Sequence, residues 1–595
     1  MSRLDLAMVG NGSFSALIDS HGRVCWACLP RFDGDPVFSS LVNGGEPPPD
    51  AGFWDVEIDQ LADSSQRYDG NTAILVTTLR DASGAAIEIT DFAPRFLKSG
   101  RMYRPLMLIR RIRRLSGEPR IRMRVRPTHS YGGDRAATTR GSNHVRFVMP
   151  DLTMRLTTDM PITYALEETP FVLERDVTLV FGPDESFSGS LEHTAREWIE
   201  RTQDYWVDWS RTLSVPFEWQ EAVIRSAITL KLCASDETGA IVAAPTTSIP
   251  EAPDSGRNWD YRYCWLRDSY FTVHALNRLG ATKTMENFLG YLTNLIAGSA
   301  DGFLQPLYGI GLEPRITERQ EPALRGYRGM GPVRVGNQAW EHVQNDSYGS
   351  VVLAAIQVFF DRRLVNPGGI RLFERLERVG EQAAKLFDQP DAGLWELRTR
   401  ARVHTYSAVM CWAACDRLAR VASHIGQAER ARHWRAEADK IHAVICERAW
   451  NEELGSFVES FDGDDLDASL LLLNWLGFLE ADDPRFAGTV AAIEKTLRRG
   501  DYLFRYHAAD DFGAPEVSFN VCTFWYIDAL AALGREEEAR RLFENMLRQR
   551  NHVGLLSEDL APESGELWGN FPQTYSMVGL ILCAMRLSKS WHEAF

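Results

Sequence analysis

The residues best equipped for chemistry in this 595-residue chain are glutamates, aspartates, tryptophans, tyrosines and arginines, grouped in a few polar–aromatic stretches. The densest is Asn258–Asp268, Asn-Trp-Asp-Tyr-Arg-Tyr-Cys-Trp-Leu-Arg-Asp, with four large aromatics, two arginines and two aspartates. A core strand does not tolerate so many charges, because an unpaired buried charge costs several kcal/mol. A solvated loop has little use for the rings. The mixture suits a cleft that offers flat apolar faces to a sugar and paired polar groups to its hydroxyls. The competing reading is a domain-interface loop stitched by Arg–Asp pairs.

Two glutamates stand in similar settings. Glu396 follows Trp395 in Gly393-Leu-Trp-Glu396, and Glu558 opens the acidic run Glu-Asp-Leu-Ala-Pro-Glu after a Gly-Leu-Leu-Ser turn. Glycoside hydrolysis needs one carboxylic acid to protonate the leaving oxygen and one carboxylate acting on the other side of the sugar. Glu396 is the candidate acid, with Trp395 shielding it from water and favouring its protonated form. Glu558 is the candidate base, in a setting suited to an ionised carboxylate beside a water. Tyr308, in Gln305-Pro-Leu-Tyr308-Gly, and Trp568, in Gly565-Glu-Leu-Trp-Gly-Asn-Phe-Pro572, are further candidate sugar contacts. Glycines within Gly326–Asn337 allow close backbone approach to a ligand. No loop carries a metal-ligand set, a Walker-type phosphate loop or a serine nucleophile elbow, so neither metal nor cofactor is expected.

These stretches fall between helices. From about residue 215 onward, apolar residues recur at helical spacing near 217–234, 268–280, 282–296, 345–362, 368–387, 405–425, 427–449, 467–476, 488–499, 518–533, 535–549 and 573–588. Long insertions at 234–268, 297–344, 388–404, 450–466, 500–517 and 550–572 alternate with short connections. Six long loops among twelve helices fit six helical hairpins closed into an α/α toroid, with the functional loops at one end. Residues 1–193 read instead as strands and turns, a β-sandwich of two large sheets. There, Pro119–Arg126 alternates basic and apolar residues, the period of a half-exposed antiparallel strand. Residues 194–214, with Trp198, Thr202, Tyr205 and Trp209 at helical steps, form a helical linker, leaving 215–595 as the catalytic unit.

Composition bounds the rest. A net charge of −16 argues against nucleic acid or an anionic membrane as partner. Nine cysteines form no zinc pattern; Cys25 and Cys28 read as part of a strand, and Cys411 and Cys415 as helix core. Together with an N-terminus that does not read as a signal peptide, they suggest a reduced, cytoplasmic protein. The sequence is silent on oligomeric state, and a homo-oligomer is compatible with it.

The three motifs together, in order and on the expected loops, resemble glycoside hydrolase family 15, the glucoamylase, glucodextranase and bacterial trehalase group. The resemblance covers nearly the whole chain. It implies the super-β-sandwich, helical linker and (α/α)6 barrel of the prokaryotic branch. The family's Tyr-x-x-x-Trp-x-Arg-Asp segment stands here as Tyr261, Trp265, Arg267 and Asp268, and implies a blind subsite for a terminal glucose. Leu394-Trp395-Glu396 matches the family's acid motif, and Glu558 with Gly565-Glu566 matches its base motif. An inverting, exo-acting α-glucoside hydrolase is implied, acting on trehalose or on malto- or isomalto-oligosaccharides. Starch-acting fungal members place a second acidic residue after the acid, whereas this chain has Leu397 and then Arg398. Two rivals are a glycoside phosphorylase, in which phosphate replaces the activated water, and a non-catalytic sugar-binding relative.

Overall fold

The computed structural model describes residues 4–299 and 301–593. The first three residues of the expected sandwich therefore lie outside the described part. Two antiparallel sheets make up the N-terminal region. One has seven strands, running in order through Leu6–Gly10, Ser15–Asp19, Val24–Leu29, Phe53–Ile58, Arg120–Arg126 and Phe171–Val172, with Asp35–Phe38 beside the third. The other has eight, from Ala137–Arg140 at one edge to Leu61–Tyr68 at the other. Arg120–Arg126 shows how its alternation works: Ile121 and Met123 are buried in the core, while the arginines face cross-strand carboxylates. Arg122 pairs with Glu57 at 2.7 Å and Arg124 with Asp55 at 2.8 Å, so the basic face is neutralised within its own sheet. Cys25 and Cys28 lie in the strand Val24–Leu29, and all nine cysteines are free thiols.

The helix Leu191–Arg211 starts three residues before the expected linker. Ser190, which the sequence reading placed among the strands, is its N-cap, accepting from the His193 N–H at 3.3 Å. Its apolar stripe packs on the sandwich, with Trp198 edge-on to Tyr103 at 5.3 Å and Trp206 fully buried.

Apart from the short helical turns Gln338–Glu341 and Gln357–Phe360, twelve helical stretches follow among the described residues, in two concentric rings. The inner ring comprises Leu266–Arg278, Asp346–Ala355, Thr405–His424, Ala468–Trp475, Asn520–Ala532 and Thr574–Leu587, each packed on the next and the last on the first. The outer ring alternates with it: Gln220–Leu232, Thr282–Gly298, Ile370–Leu386, Ala428–Arg448, Pro484–Leu497 and Glu536–Arg548. Burial follows position. Ile370–Leu386 hides only the stripe Phe373, Leu376, Val379, Gly380 and Ala383, as an outer amphipathic helix does. Asn520–Ala532 is buried almost all round, as an inner helix must be. Gln220–Leu232 is the exception, an outer helix with no solvent face, because the sandwich covers it; Arg225 donates to the Thr72 carbonyl at 2.9 Å. Two expected helices are interrupted. The stretch near 345–362 breaks at Ile356, and 467–476 begins as a 3-10 turn, Ala468–Leu471, before Leu472–Trp475. No described helix is long and apolar enough to cross a membrane.

All six long loops precede an inner helix, so six inner N-termini converge on one end of the barrel. Each brings unsatisfied N–H groups and a positive dipole end, which favour carboxylates and polar ligands there.

Candidate active site

A cavity opens at that end. Glu396, Glu558, Tyr261, Trp265, Arg267, Asp268 and Trp395 all contribute to its wall. Asn258–Asp268 contributes both to the cavity wall and to the contact with the sandwich. Trp259 and Tyr261 face the cavity, while Asp260 and Arg262, one residue out of phase, form a fully buried ion pair at 2.7 Å. Arg262 also donates to the Gly34 carbonyl at 2.8 Å, stitching the loop to the sandwich. Tyr308 and Trp568 are corrections: neither lies on the cavity wall. Tyr308 pairs with Cys264 across a short ladder, and its hydroxyl accepts from the Gln305 N–H at 3.0 Å. Trp568 is paired with Asp559 and packs, buried, against Tyr327 and Arg328.

Glu558 is fixed by backbone pairing. It immediately precedes the middle strand of a three-stranded ladder made of Ser518–Phe519, Asp559–Leu560 and Leu567–Trp568. Its N–H donates to the Asn570 carbonyl at 3.2 Å, and its own carbonyl accepts from Asn520 N–H, at the start of an inner helix, at 2.9 Å. The side chain is buried. Oε1 accepts from the Tyr261 hydroxyl at 2.6 Å, while Oε2 has no hydrogen-bond partner among the described residues. Burial, and then the negative charge of Glu251, push its pKa up to about 8 against the Tyr261 hydrogen bond. This differs from the solvated, readily ionised setting that the surrounding acidic run suggested. Glu251 receives the Trp259 indole N–H at 2.9 Å and pairs with Arg505. Asp559 is also buried and raised, by desolvation first and then by Glu558 and Glu251.

Glu396 is held differently, at the tip of a loop closed by Asp391 and Arg402, which exchange backbone hydrogen bonds of 2.8 and 3.1 Å. Within it, Glu396 N–H donates to the Gly393 carbonyl at 3.2 Å, and Glu396 adopts φ +61°. A left-handed non-glycine residue costs ~1–3 kcal/mol and persists only where its surroundings over-determine it. Beneath the turn lies the His404 ring, so close that a Cβ on Gly393 would stand 2.9 Å from it. His404 Nδ1 lies 2.7 Å from Asp391 and Nε2 3.2 Å from Glu459. Burial opposes its charge, but these two hydrogen bonds outweigh that and raise its pKa to about 10. Asp391 in turn receives the Ser407 hydroxyl and the Asn345 N–H at 2.7 and 2.8 Å.

The Glu396 side chain is 23% exposed and accepts from the Trp265 indole at 2.6 Å, with Arg267 Nη2 3.5 Å away. The Trp395 indole is directed instead to Asp467 at 2.5 Å. Tyr261 and Trp265 meet edge to face at 5.5 Å, so a short aromatic bridge joins the partner of one carboxylate to the partner of the other. At the buried end, Arg267 is gripped by Gln344 at 2.8 Å and Asp346 at 3.0 Å. Burial lifts Asp268 to about 7, with Arg267 opposing and Glu396 reinforcing the rise. Glu251, Arg505 and Asp346 are missing from the sequence-derived set. Only Asp346, at the first position of an inner helix, carried a usable local signal. Glu566, of the base motif, is tied to Arg328 at 2.7 Å. Among the described residues, no cluster of three or more His, Cys, Asp or Glu is arranged to hold a metal ion.

A β-sandwich beside a double ring of helices, with two glutamates in one aromatic-lined cavity, defines a carbohydrate-processing enzyme of the (α/α)6 class. Residues 219–585 match the model for glycosyl hydrolases family 15, and residues 2–161 match that of a trehalase-like N-terminal domain. The chain belongs to glycoside hydrolase family 15 and is a glycosidase. It is 32% identical to a trehalase of Thermoplasma volcanium, over 98% of this chain and 93% of that one. A trehalase of Mycobacterium tuberculosis is also 32% identical, over 99% of this chain and 90% of its own length. A bacterial glucoamylase, solved in complex with acarbose, superposes with a TM-score of 0.72 at 14% identity, over 98% of this chain and 94% of that one; this likeness is one of fold.

Proposed function

We propose that this protein is an inverting, exo-acting α-glucoside hydrolase whose first substrate is trehalose. Glu396 is the general acid and Glu558 the general base. The observation that carries the reading is the bridged pair itself: two glutamates on different loops, in one cavity, joined through Tyr261 and Trp265. The trehalases to which the chain is similar over nearly its full length support the choice of trehalose.

The non-reducing glucose enters the buried end, where Arg267 and Asp268 bind its outer hydroxyls and Tyr261 and Trp265 contact the ring. Arg267, buried against Gln344 and Asp346, closes that end in this reading, so bonds are cleaved only at the chain end. Trp265 N–H occupies Glu396 Oε1, leaving the other oxygen to protonate the glycosidic oxygen. As that bond breaks, Glu558 Oε2 takes a proton from a water attacking the anomeric carbon from the opposite face. The new hydroxyl is β, and the departing sugar keeps its own configuration. Such a mechanism needs the two carboxyl groups ~6.5–9.5 Å apart, leaving room for the water.

The direct test is glucose release from trehalose, maltose and isomaltose by the wild type and by Glu396→Gln and Glu558→Gln. The reading expects hydrolysis without phosphate consumption, and loss of turnover in both variants with sugar binding retained. Unchanged hydrolysis in both variants removes the mechanism.

A further inference from the structure

The cavity's outer wall includes a short turn that none of the chemistry above uses. Asp511 and Phe512 are exposed residues of the cavity wall and mark its mouth, whereas Arg267 and Asp268 on the same wall are buried. The turn is self-closed: Asp510 and Gly513 exchange backbone hydrogen bonds of 3.0 and 3.3 Å, and Asp510 Oδ1 accepts from Phe512 N–H at 2.8 Å. Gly513 supplies the φ of +96° that the turn requires.

Two different loops hold it. On one side Arg257 grips Asp510 through two bonds of 2.6 Å and donates to the Gly513 carbonyl at 2.7 Å. These side chains are only 7% and 8% exposed, so the pair is costly to break. On the other side lies the loop that carries Glu396. Arg398 N–H donates to Asp511 Oδ2 at 2.7 Å, the Arg400 guanidinium to the Ala509 carbonyl at 2.6 Å, and the Thr399 hydroxyl to Asp511. Phe512 then lies edge-on to Trp259 at 5.1 Å, an indole whose face is covered by Arg398 at 4.5 Å. The turn thus spans the mouth, from the loop of Tyr261 and Trp265 to the loop of Glu396. Arg398 also acquires a structural account: it belongs to the seat of this turn and is anchored on Glu318 at 2.8 Å.

We infer that Asp510–Gly513 is a specificity-determining clasp on the leaving-group side, one that admits a disaccharide-sized α-glucoside and rejects extended ones. The inference rests on the reading of this cavity as an α-glucoside hydrolase site. With the terminal glucose in the buried end, the second ring lies beneath the span of the clasp. A third ring, or a substituent on the second, meets Asp511 and Phe512.

The test is the double variant Asp511→Ala/Phe512→Ala, which leaves the buried Arg257–Asp510 pair in place. The substrates are trehalose, trehalose bearing a 6-O-octanoyl chain on one ring, maltose and maltohexaose. Two quantities are measured: kcat/KM for each, and Kd for each by calorimetry in a Glu558→Gln background with and without the two clasp substitutions. The wild type should favour the shorter member of each pair by ~10-fold or more, the order that steric discrimination in a pocket supplies. The double variant should narrow that ratio at least severalfold, through lower KM and Kd for the extended member. An unchanged ratio, equal acceptance of long and short members by the wild type, or a uniform loss on all four sugars overturns the clasp. If no sugar is turned over but the Kd ratio narrows, the clasp stands and the hydrolase reading falls. Turnover with an unaltered ratio does the reverse, and neither turnover nor binding overturns both.

Discussion

The two glutamates occupy opposite kinds of structure. Glu558 is buried, pinned by a three-stranded ladder on one side and an inner-helix N-terminus on the other. Glu396 sits at φ +61° on a partly exposed loop propped from below by a charged histidine. A base must aim one oxygen at one water, and a rigid, dry mount does that. An acid must reach a leaving oxygen whose sugar enters and departs past it, and a loop at the mouth suits that task. The contrast also shows where energy is stored: in the desolvated charge at Glu558 and in the backbone at Glu396.

The largest effects separate the two sites. Glu558→Gln and Glu396→Gln should each lower kcat by about 10³-fold or more. Thermal unfolding should tell them apart. A carboxyl held protonated up to about 8 costs stability as pH rises from its unfolded value of 4.5, because unfolding then releases a proton. Glu558→Gln removes that cost, so its Tm should exceed the wild type's by an amount that grows from pH 4.5 to about 8 and then levels off. A Tm below the wild type's at pH 8 would break the contrast.

Next comes the buried end. Asp268→Asn should lower kcat/KM by about 10²-fold, since the proposed clamp acts on the transition state. A normal kcat/KM in this variant would remove Asp268 from recognition.

A smaller effect isolates the field around Glu558. Glu251→Gln deletes a negative charge and frees Arg505, and both changes lower the Glu558 pKa. With Glu558 as the proposed base, activity requires its ionised form, so the limb over which kcat/KM rises with pH should move down by about one unit. An upward shift would contradict the assignment of that limb to Glu558.

The smallest effect concerns the prop. The raised His404 pKa contributes stability that is fully present below about 6.5 and is lost as pH rises through about 10. His404→Gln should therefore lower Tm at pH 6–7, with the gap to the wild type closing above pH 10. It should also reduce kcat more than it raises KM, because the Glu396 turn loses its support. A Tm gap that persists unchanged above pH 10 would mean that the ring's bulk, and not its charge, holds the turn.

Much of the scaffold was legible in the sequence. Twelve helical stretches with alternating connections are what a double ring requires, since each hairpin leaves one long loop at the same end. Boundaries drifted where tertiary packing intervened, as at Ile356 and in the 3-10 start at Ala468. Glu396, Glu558 and the Tyr261–Asp268 segment, which the fold brings to one cavity, were legible as candidates because their motifs are local. Glu251 and Arg505 were not, because a glutamate flanked by Pro250 and Pro253 reads as solvated, and only the folded chain buries it against Arg505. Tyr308 and Trp568 failed for a simpler reason. An aromatic in a functional loop has two faces to choose between, and strand pairing turned both away from the cavity.

The central claim, inversion by this pair of glutamates, is tested most directly by the anomers formed from trehalose. Attack at one anomeric carbon with inversion gives β-glucose, while the departing ring leaves as α-glucose. Proton NMR during the first turnovers, before mutarotation, should therefore record equal amounts of the α and β anomers. Initial formation of α-glucose alone would contradict inversion, and with it the roles assigned to Glu396 and Glu558.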